Sequence, residues 1–216
     1  LAKKYNSHIH ILHMTTAKEL ELFSNEEINK KNITVEACPH HLWFYDKNYD
    51  SKGSYIKCNP AIKTLGDRDA LREALKNNII DTVGTDHAPH LTSEKENSKF
   101  NAPSGMPIVQ SAIPSLFEFL PATTVAQKTA HNPSLIYKCL DRGFIREGYF
   151  ADLTIVDTEK PHTVNKDNIR YKCKWSPFEG TTFSSSVTAT FVNGKLAYND
   201  NKINPNIRGM RLKFDR

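Results

Sequence analysis

Ile79-Ile-Asp-Thr-Val-Gly-Thr-Asp-His-Ala-Pro-His90 is a short apolar run that opens, through a glycine, into a string of side chains able to bind metal. Ile79 to Val83 has the length and β-branched content of a buried strand. Upstream, Ile33-Thr-Val-Glu-Ala37 has the same character, and His8-Ile-His-Ile-Leu-His-Met14 makes a third run. Helical signals separate them. Thr16-Ala-Lys-Glu19 is a capping box that predicts a helix through Leu20, Leu22, Phe23 and Ile28. Thr64-Leu-Gly-Asp67 is a second, followed by Ala70, Leu71, Ala74 and Leu75 at helical spacing. Strand, helix, strand, helix, strand predicts parallel β/α units with right-handed crossovers, and hence an α/β fold.

Downstream, a polar loop from about 91 to 105 precedes an apolar helical stretch, Met106 to Leu120, interrupted by Pro107 and Pro114. Asn132-Pro133 reads as an N-cap with proline at the first helical position, starting a helix through Cys139. From Phe144 the texture changes. Ala151 to Asp157 and Ser186 to Val192 alternate, the latter ending in the turn Asn193-Gly194, which predicts antiparallel strands of a small β unit. The expected division is 1–145 and 146–216. Three parallel units cannot close a barrel of eight strands, so a piece of a barrel is expected, consistent with a chain that lacks an initiator methionine.

Composition narrows the function classes. The 216 residues carry 29 basic against 24 acidic side chains, a net charge of +5, with the basic residues dispersed rather than striped among aromatics. A nucleic-acid surface is not expected. No apolar run approaches the ~20 residues that cross a bilayer, and the start, Leu1-Ala-Lys-Lys-Tyr5, has no signal-peptide core. The four cysteines form no CxxC pair and read as reduced cytosolic thiols.

In a parallel barrel the strand C-termini face the catalytic mouth, which places Asp86 there. A carboxylate so placed can bind a metal and accept a proton from the water that the metal acidifies. Pro89 restricts the turn and re-aims His90 toward the pocket. His13, at the end of the first strand, is a candidate imidazole ligand. Alternation puts Ile9, Ile11 and His13 on one face and His8, His10 and Leu12 on the other. His8-x-His10 also has zinc-ligand spacing, but its face and early position favour packing or exposure. Cys38-Pro-His-His-Leu-Trp43 offers a thiol and two imidazoles without a fourth ligand at a usual spacing, so a pocket-shaping loop is expected in preference to a zinc site. Asn59, before Pro60, can offer a donor and an acceptor to a cyclic amide, and Gly105 lets backbone approach a ligand closely.

The strings LHMTTAKEL, EACPHHLWF, KCNPAIKT, DTVGTDHAPH, APSGMP, KCKWSPFEG and VNGK resemble the dihydroorotases of the amidohydrolase superfamily in order and spacing, along essentially the whole chain. The resemblance implies strands six to eight of a TIM-type barrel with part of a small β-sandwich appended. It implies a zinc-dependent cyclic amide hydrolase, interconverting dihydroorotate and N-carbamoyl-L-aspartate in pyrimidine biosynthesis. His13 would be a metal ligand from the sixth strand and Asp86 a metal ligand and general acid/base after the eighth. Asn59 and His90 would bind substrate, Ser104 and Gly105 would contact the pyrimidine ring through their backbone, and the loop between His90 and Ala102 would border the pocket. Two zinc ions are implied for the complete enzyme, whose other ligands and substrate-carboxylate arginine lie upstream of Leu1. A cytoplasmic homo-oligomer with a small-molecule substrate is implied. Allantoinases and dihydropyrimidinases share the scaffold but typically lack a histidine where His90 stands, and a non-catalytic, dihydroorotase-like scaffold subunit is the rival of another class.

Overall fold

A computed structural model describes residues 1–98 and 100–215. Lys99, inside the loop expected to border the pocket, lies outside the described residues. Three strands, β1 (Ile9–Ile11), β2 (Ile33–Ala37) and β3 (Thr82–Val83), form one parallel sheet in the order β1-β2-β3. Ile11 aligns with Val35, and Ala37 with Val83. The predicted third strand is longer than β3, yet its backbone follows the ladder beyond both ends: Asp81 N–H donates to Val35 O, and Gly84 N–H to Ala37 O.

The helix Leu65–Lys76 follows the capping box as expected. Thr64 Oγ1 accepts from the Asp67 N–H at 3.2 Å, and Asp67 returns a carboxylate to the Thr64 N–H. Its inward stripe, Leu71, Ala74 and Leu75, packs on Val35, Ala37 and Val83 with Leu116 from the helix Val109–Phe117. Each leucine so buried contributes about 2 kcal/mol.

The box at Thr16 behaves differently. Thr16 Oγ1 bonds Glu19 Oε2 at 2.6 Å, but only the short 3₁₀ stretch Lys18–Leu22 follows, with Leu22 left 62% exposed. Leu20 and Phe23 are only partly buried against the core, and a cap alone does not sustain a helix with so little cover. The Asn132-Pro133 signal is also corrected. Ala122–Ala126, a π turn at Gln127–His131 and Asn132–Ile136 run on as one helix, so Asn132 lies inside it and donates from Nδ2 to Asp81 O. The widened turn accommodates the carbonyl that a proline four residues later would otherwise crowd.

Two buried lysines tie this helix and the β2 entry to β3. Lys31 Nζ sits 2.7 Å from Asp81 Oδ1 with both side chains almost fully buried, while Asp81 Oδ2 accepts the Val35 N–H. Lys128 Nζ donates to Ile80 O and Asn78 Oδ1. Burial, outweighing the attraction of Asp81, pulls Lys128 down to about 8. A lysine held below its unfolded value of ~10.4 destabilises the fold while charged, and that cost fades as pH climbs from about 8 toward 10. Wild type is therefore expected to gain roughly 2 kcal/mol on Lys128→Met over that window, read from urea midpoints of both proteins at the two pH values.

The second sheet is antiparallel. Its strands are β4 (Leu153–Asp157), β7 (Ser186–Val192), β8 (Lys195–Asn199) and β9 (Lys202–Ile203), joined in the order β4-β7-β8-β9, while β5 (His162–Thr163) pairs with β6 (Thr182–Phe183). Asn193 and Gly194 both have positive φ, 49° and 77°, as a two-residue hairpin turn requires. Tyr171, Trp175, Phe178 and Phe183 return to the parallel unit and share a core with Phe44, Ile56, Met106 and Ile108. That return packing braces the loops beyond the C-terminal ends of the parallel strands.

Candidate active site

His13 and Asp86 follow β1 and β3 at the C-terminal end of the sheet, and both take left-handed backbone, with φ of 43° and 46°. Outside glycine, asparagine, aspartate and histidine adopt this region with least strain. At His13 it breaks the strand alternation, so the strict two-residue period does not decide where the imidazole points. His13 is half-buried and Asp86 exposed.

Between them stands a carboxylate that sequence reasoning missed. Burial raises Glu36 above the usual carboxyl range; the His13 N–H, bonded to it, and the His13 ring pull it back, and the charge of Asp86 pushes it up. Gly84 makes room for it, since a Cβ there would lie 2.1 Å from Glu36 Oε2. An acidic residue at the fourth position of a five-residue buried strand, with a glycine just past the end of the next strand, was the available signal. One strand register away, the His10 imidazole lies 2.7 Å from Thr34 Oγ1 and 3.4 Å from Thr82 Oγ1, bonding across all three strands.

The expected substrate residues fall into two groups. His90 Nε2 is 3.0 Å from Ser104 O, and Gly105, at φ 122°, brings its backbone so close to Ala88 and His90 that a Cβ would stand 2.7 Å from the Ala88 Cβ. This contact needs glycine on both counts. The buried Lys95 ammonium clamps the loop by donating to Pro103 O at 2.7 Å and Gly105 O at 2.9 Å. Trp175 Nε1 donates to His90 O at 2.7 Å, so the return segment fixes the histidine from behind. Asn59 is exposed, two residues beyond Lys57, whose carbonyl accepts the Gly105 N–H. His87 turns away: its Nδ1 accepts from the N–H groups of Ile108 and Val109 and caps the helix Val109–Phe117.

The rim offers one imidazole and two carboxylates, donor types that a divalent metal ion accepts, although among the described residues these three do not gather into a metal-sized cluster. The carboxyl of Glu36, raised first by burial and in smaller part by the charge of Asp86, is the kind of group a cation would relieve. A second cluster, Cys38, His40 and His41, brings its donor atoms within 4.8 Å of one another just beyond β2.

Comparisons with known proteins agree with this architecture. The model of the Amidohydrolase family matches residues 1–197. A dihydroorotase from Caldicellulosiruptor saccharolyticus is 35% identical over 211 residues, covering 94% of this chain and 49% of its own. The dihydroorotase of Bacillus subtilis is 31% identical over 208 residues, with the same shares. Among solved structures, the L-hydantoinase (dihydropyrimidinase) from Arthrobacter aurescens superposes with a TM-score of 0.86 at 23% identity, over 94% of this chain and 47% of that one, a likeness of fold alone. The chain spans about half the length of the curated relatives it matches. Parallel β/α units, a charged rim at their C-terminal end and a family match covering nine-tenths of the residues lead to one conclusion: the chain belongs to the amidohydrolase family.

Proposed function

We propose that this chain supplies part of the active site of a dihydroorotase, a metal-dependent hydrolase of cyclic amides. The observation that carries the reading is the packing of His90 against Ser104 and Gly105 on a loop next to the Asp86 turn. An imidazole and a glycine-exposed backbone at one spot suit a ring that bears both amide groups and a carboxylate. The similarity to curated dihydroorotases supports the same substrate class.

In this reading β1, β2 and β3 are strands six to eight of a TIM-type barrel, residues 1–145 belong to the barrel, and residues 146–216 belong to a small β-sandwich. The change from parallel to antiparallel pairing after residue 145 supports that division. His13 and Asp86 would hold zinc, two ions serving the complete enzyme. The ion would supply Lewis-acid polarisation of the ring amide carbonyl. Asp86 would carry the proton from the attacking water to the departing ring nitrogen. Asn59 would donate to and accept from the ring amides, His90 would face the substrate carboxylate, and the backbone of Ser104 and Gly105 would hold the pyrimidine edge. Lys95 and Trp175 would keep that edge rigid.

Hydrolysis of dihydroorotate, allantoin and dihydrouracil by the full-length protein tests the assignment. Dihydroorotate is expected to be turned over at least about a hundred-fold more efficiently, since rejecting a ring that leaves buried polar groups unpaired reaches that scale. A preference for dihydrouracil or allantoin would move the protein to the neighbouring cyclic amidases. No stoichiometric metal and no turnover of any of the three would leave a scaffold subunit.

A further inference from the structure

We propose that Cys38, His40 and His41 form a second metal site, distinct from the His13–Asp86 rim and suited to a zinc-class ion bound through one thiolate and two imidazoles. This goes beyond the dihydroorotase reading and does not depend on it.

The three residues sit where β2 ends and the short helix Pro39–Trp43 begins, with Cys38 in the extended N-cap position and Pro39 starting the helix. That local geometry folds the N-cap side chain and two from the first helical turn onto one point, and the three donor atoms lie within 4.8 Å of one another. All three residues are buried, His40 to 1% exposure and His41 to 3%. Buried imidazoles almost always find hydrogen-bond partners. Here neither nitrogen of His40 has one among the described residues, nor has Nδ1 of His41. Leaving three such atoms unsatisfied in a packed interior is costly, and a bound cation removes that cost.

The remaining nitrogen, His41 Nε2, faces Pro60 O at 2.8 Å. A carbonyl there requires the ring proton on Nε2, which leaves the Nδ1 lone pair free and turned away from Pro60. A backbone carbonyl that fixes the tautomer of an imidazole is the usual support behind a metal-binding histidine. Cys58 Sγ lies 3.7 Å from the same Nε2 and bonds Pro60 O, so it backs the ring rather than joining the donors. One sulfur and two nitrogens favour zinc-class and other soft or borderline ions over calcium and magnesium, which take oxygen. On binding, the Cys38 S–H bond breaks, its proton passes to water, and the sulfur lone pair enters the metal bond, with no change of oxidation state.

Cobalt(II) distinguishes this site from the rim, because only a thiolate ligand produces sulfur-to-cobalt charge-transfer absorption in the near ultraviolet. Metal-free full-length protein titrated with Co²⁺ is expected to develop that absorption to one equivalent per chain. Cys38→Ser is expected to abolish it and to lower zinc retained in equilibrium dialysis by one equivalent, whereas Cys58→Ser and His13→Asn keep it. Far-ultraviolet circular dichroism checks that each variant folds, and His40→Gln serves in place of a Cys38→Ser protein that does not. No charge-transfer band in folded wild type, or an undiminished band in the folded Cys38→Ser or His40→Gln protein, overturns the proposal. Failure to hydrolyse dihydroorotate would leave these absorption results unchanged.

Discussion

Asp86→Asn in the full-length protein is expected to lower kcat/KM for dihydroorotate by about a thousand-fold or more, with the fold unchanged. Positioned proton transfer alone contributes roughly 10²–10⁴ to a rate, and in the proposed reading the substitution would also remove an anionic metal ligand from the rim. Asparagine is the informative replacement. Asp86 sits at φ 46°, a conformation asparagine accepts almost as readily as aspartate. Alanine would add backbone strain and blur a chemical loss with a structural one. The exposed position of Asp86 further separates the two effects. Steady-state rates, metal content and circular dichroism form the measurement, and turnover within tenfold of wild type would remove Asp86 from the chemistry.

The largest stability effect is expected at Asp81. Its carboxylate faces Lys31 Nζ at 2.7 Å and accepts the Val35 N–H at 2.9 Å, in a place water does not reach. Asp81→Ala strands the ammonium of Lys31 beside the carbonyls of Asn78 and Ile79, its two remaining acceptors. Removing one partner of a buried ion pair typically costs about 3–5 kcal/mol, whereas replacing both by apolar groups is often close to neutral. Urea unfolding should therefore show a large drop in midpoint for Asp81→Ala and a substantial recovery in Lys31→Met/Asp81→Leu. Equal losses in the single and double variants would mean that the Val35 hydrogen bond, not the ion pair, holds the strand entry.

What could be read from the sequence was set by local physics. The strand Ile33–Ala37 and the helix after Thr64 were legible because pattern, cap and burial all agree there. The helix expected after Thr16 was not, because a capping box specifies a beginning while packing decides the length. The Asn132-Pro133 signal misled for a related reason: the π turn that lets a helix run through proline leaves no mark in the pattern. At the site, the likeness to a family pointed to His13, Asp86 and His90. Neither the left-handed backbone of the first two nor the buried clamp of Lys95 could be read from spacing, since both depend on segments brought together from far along the chain. Glu36 was passed over because a single acid in an apolar strand looks like an ordinary outward residue until its neighbour is known to be glycine. The buried pair His40 and His41 looked like a loop for want of a fourth ligand in sequence.

Among the described residues, strand β1 is hydrogen-bonded along one side only, and Ile9, Ile11 and Leu12 remain 37–48% exposed. Such a margin is adhesive: it will accept any extended peptide that offers a matching ladder. Prepared by itself, the polypeptide is expected to self-associate through this seam. In the barrel reading proposed above, a separately produced piece carrying an adjoining strand would dock here and restore a single-molecule species on gel filtration.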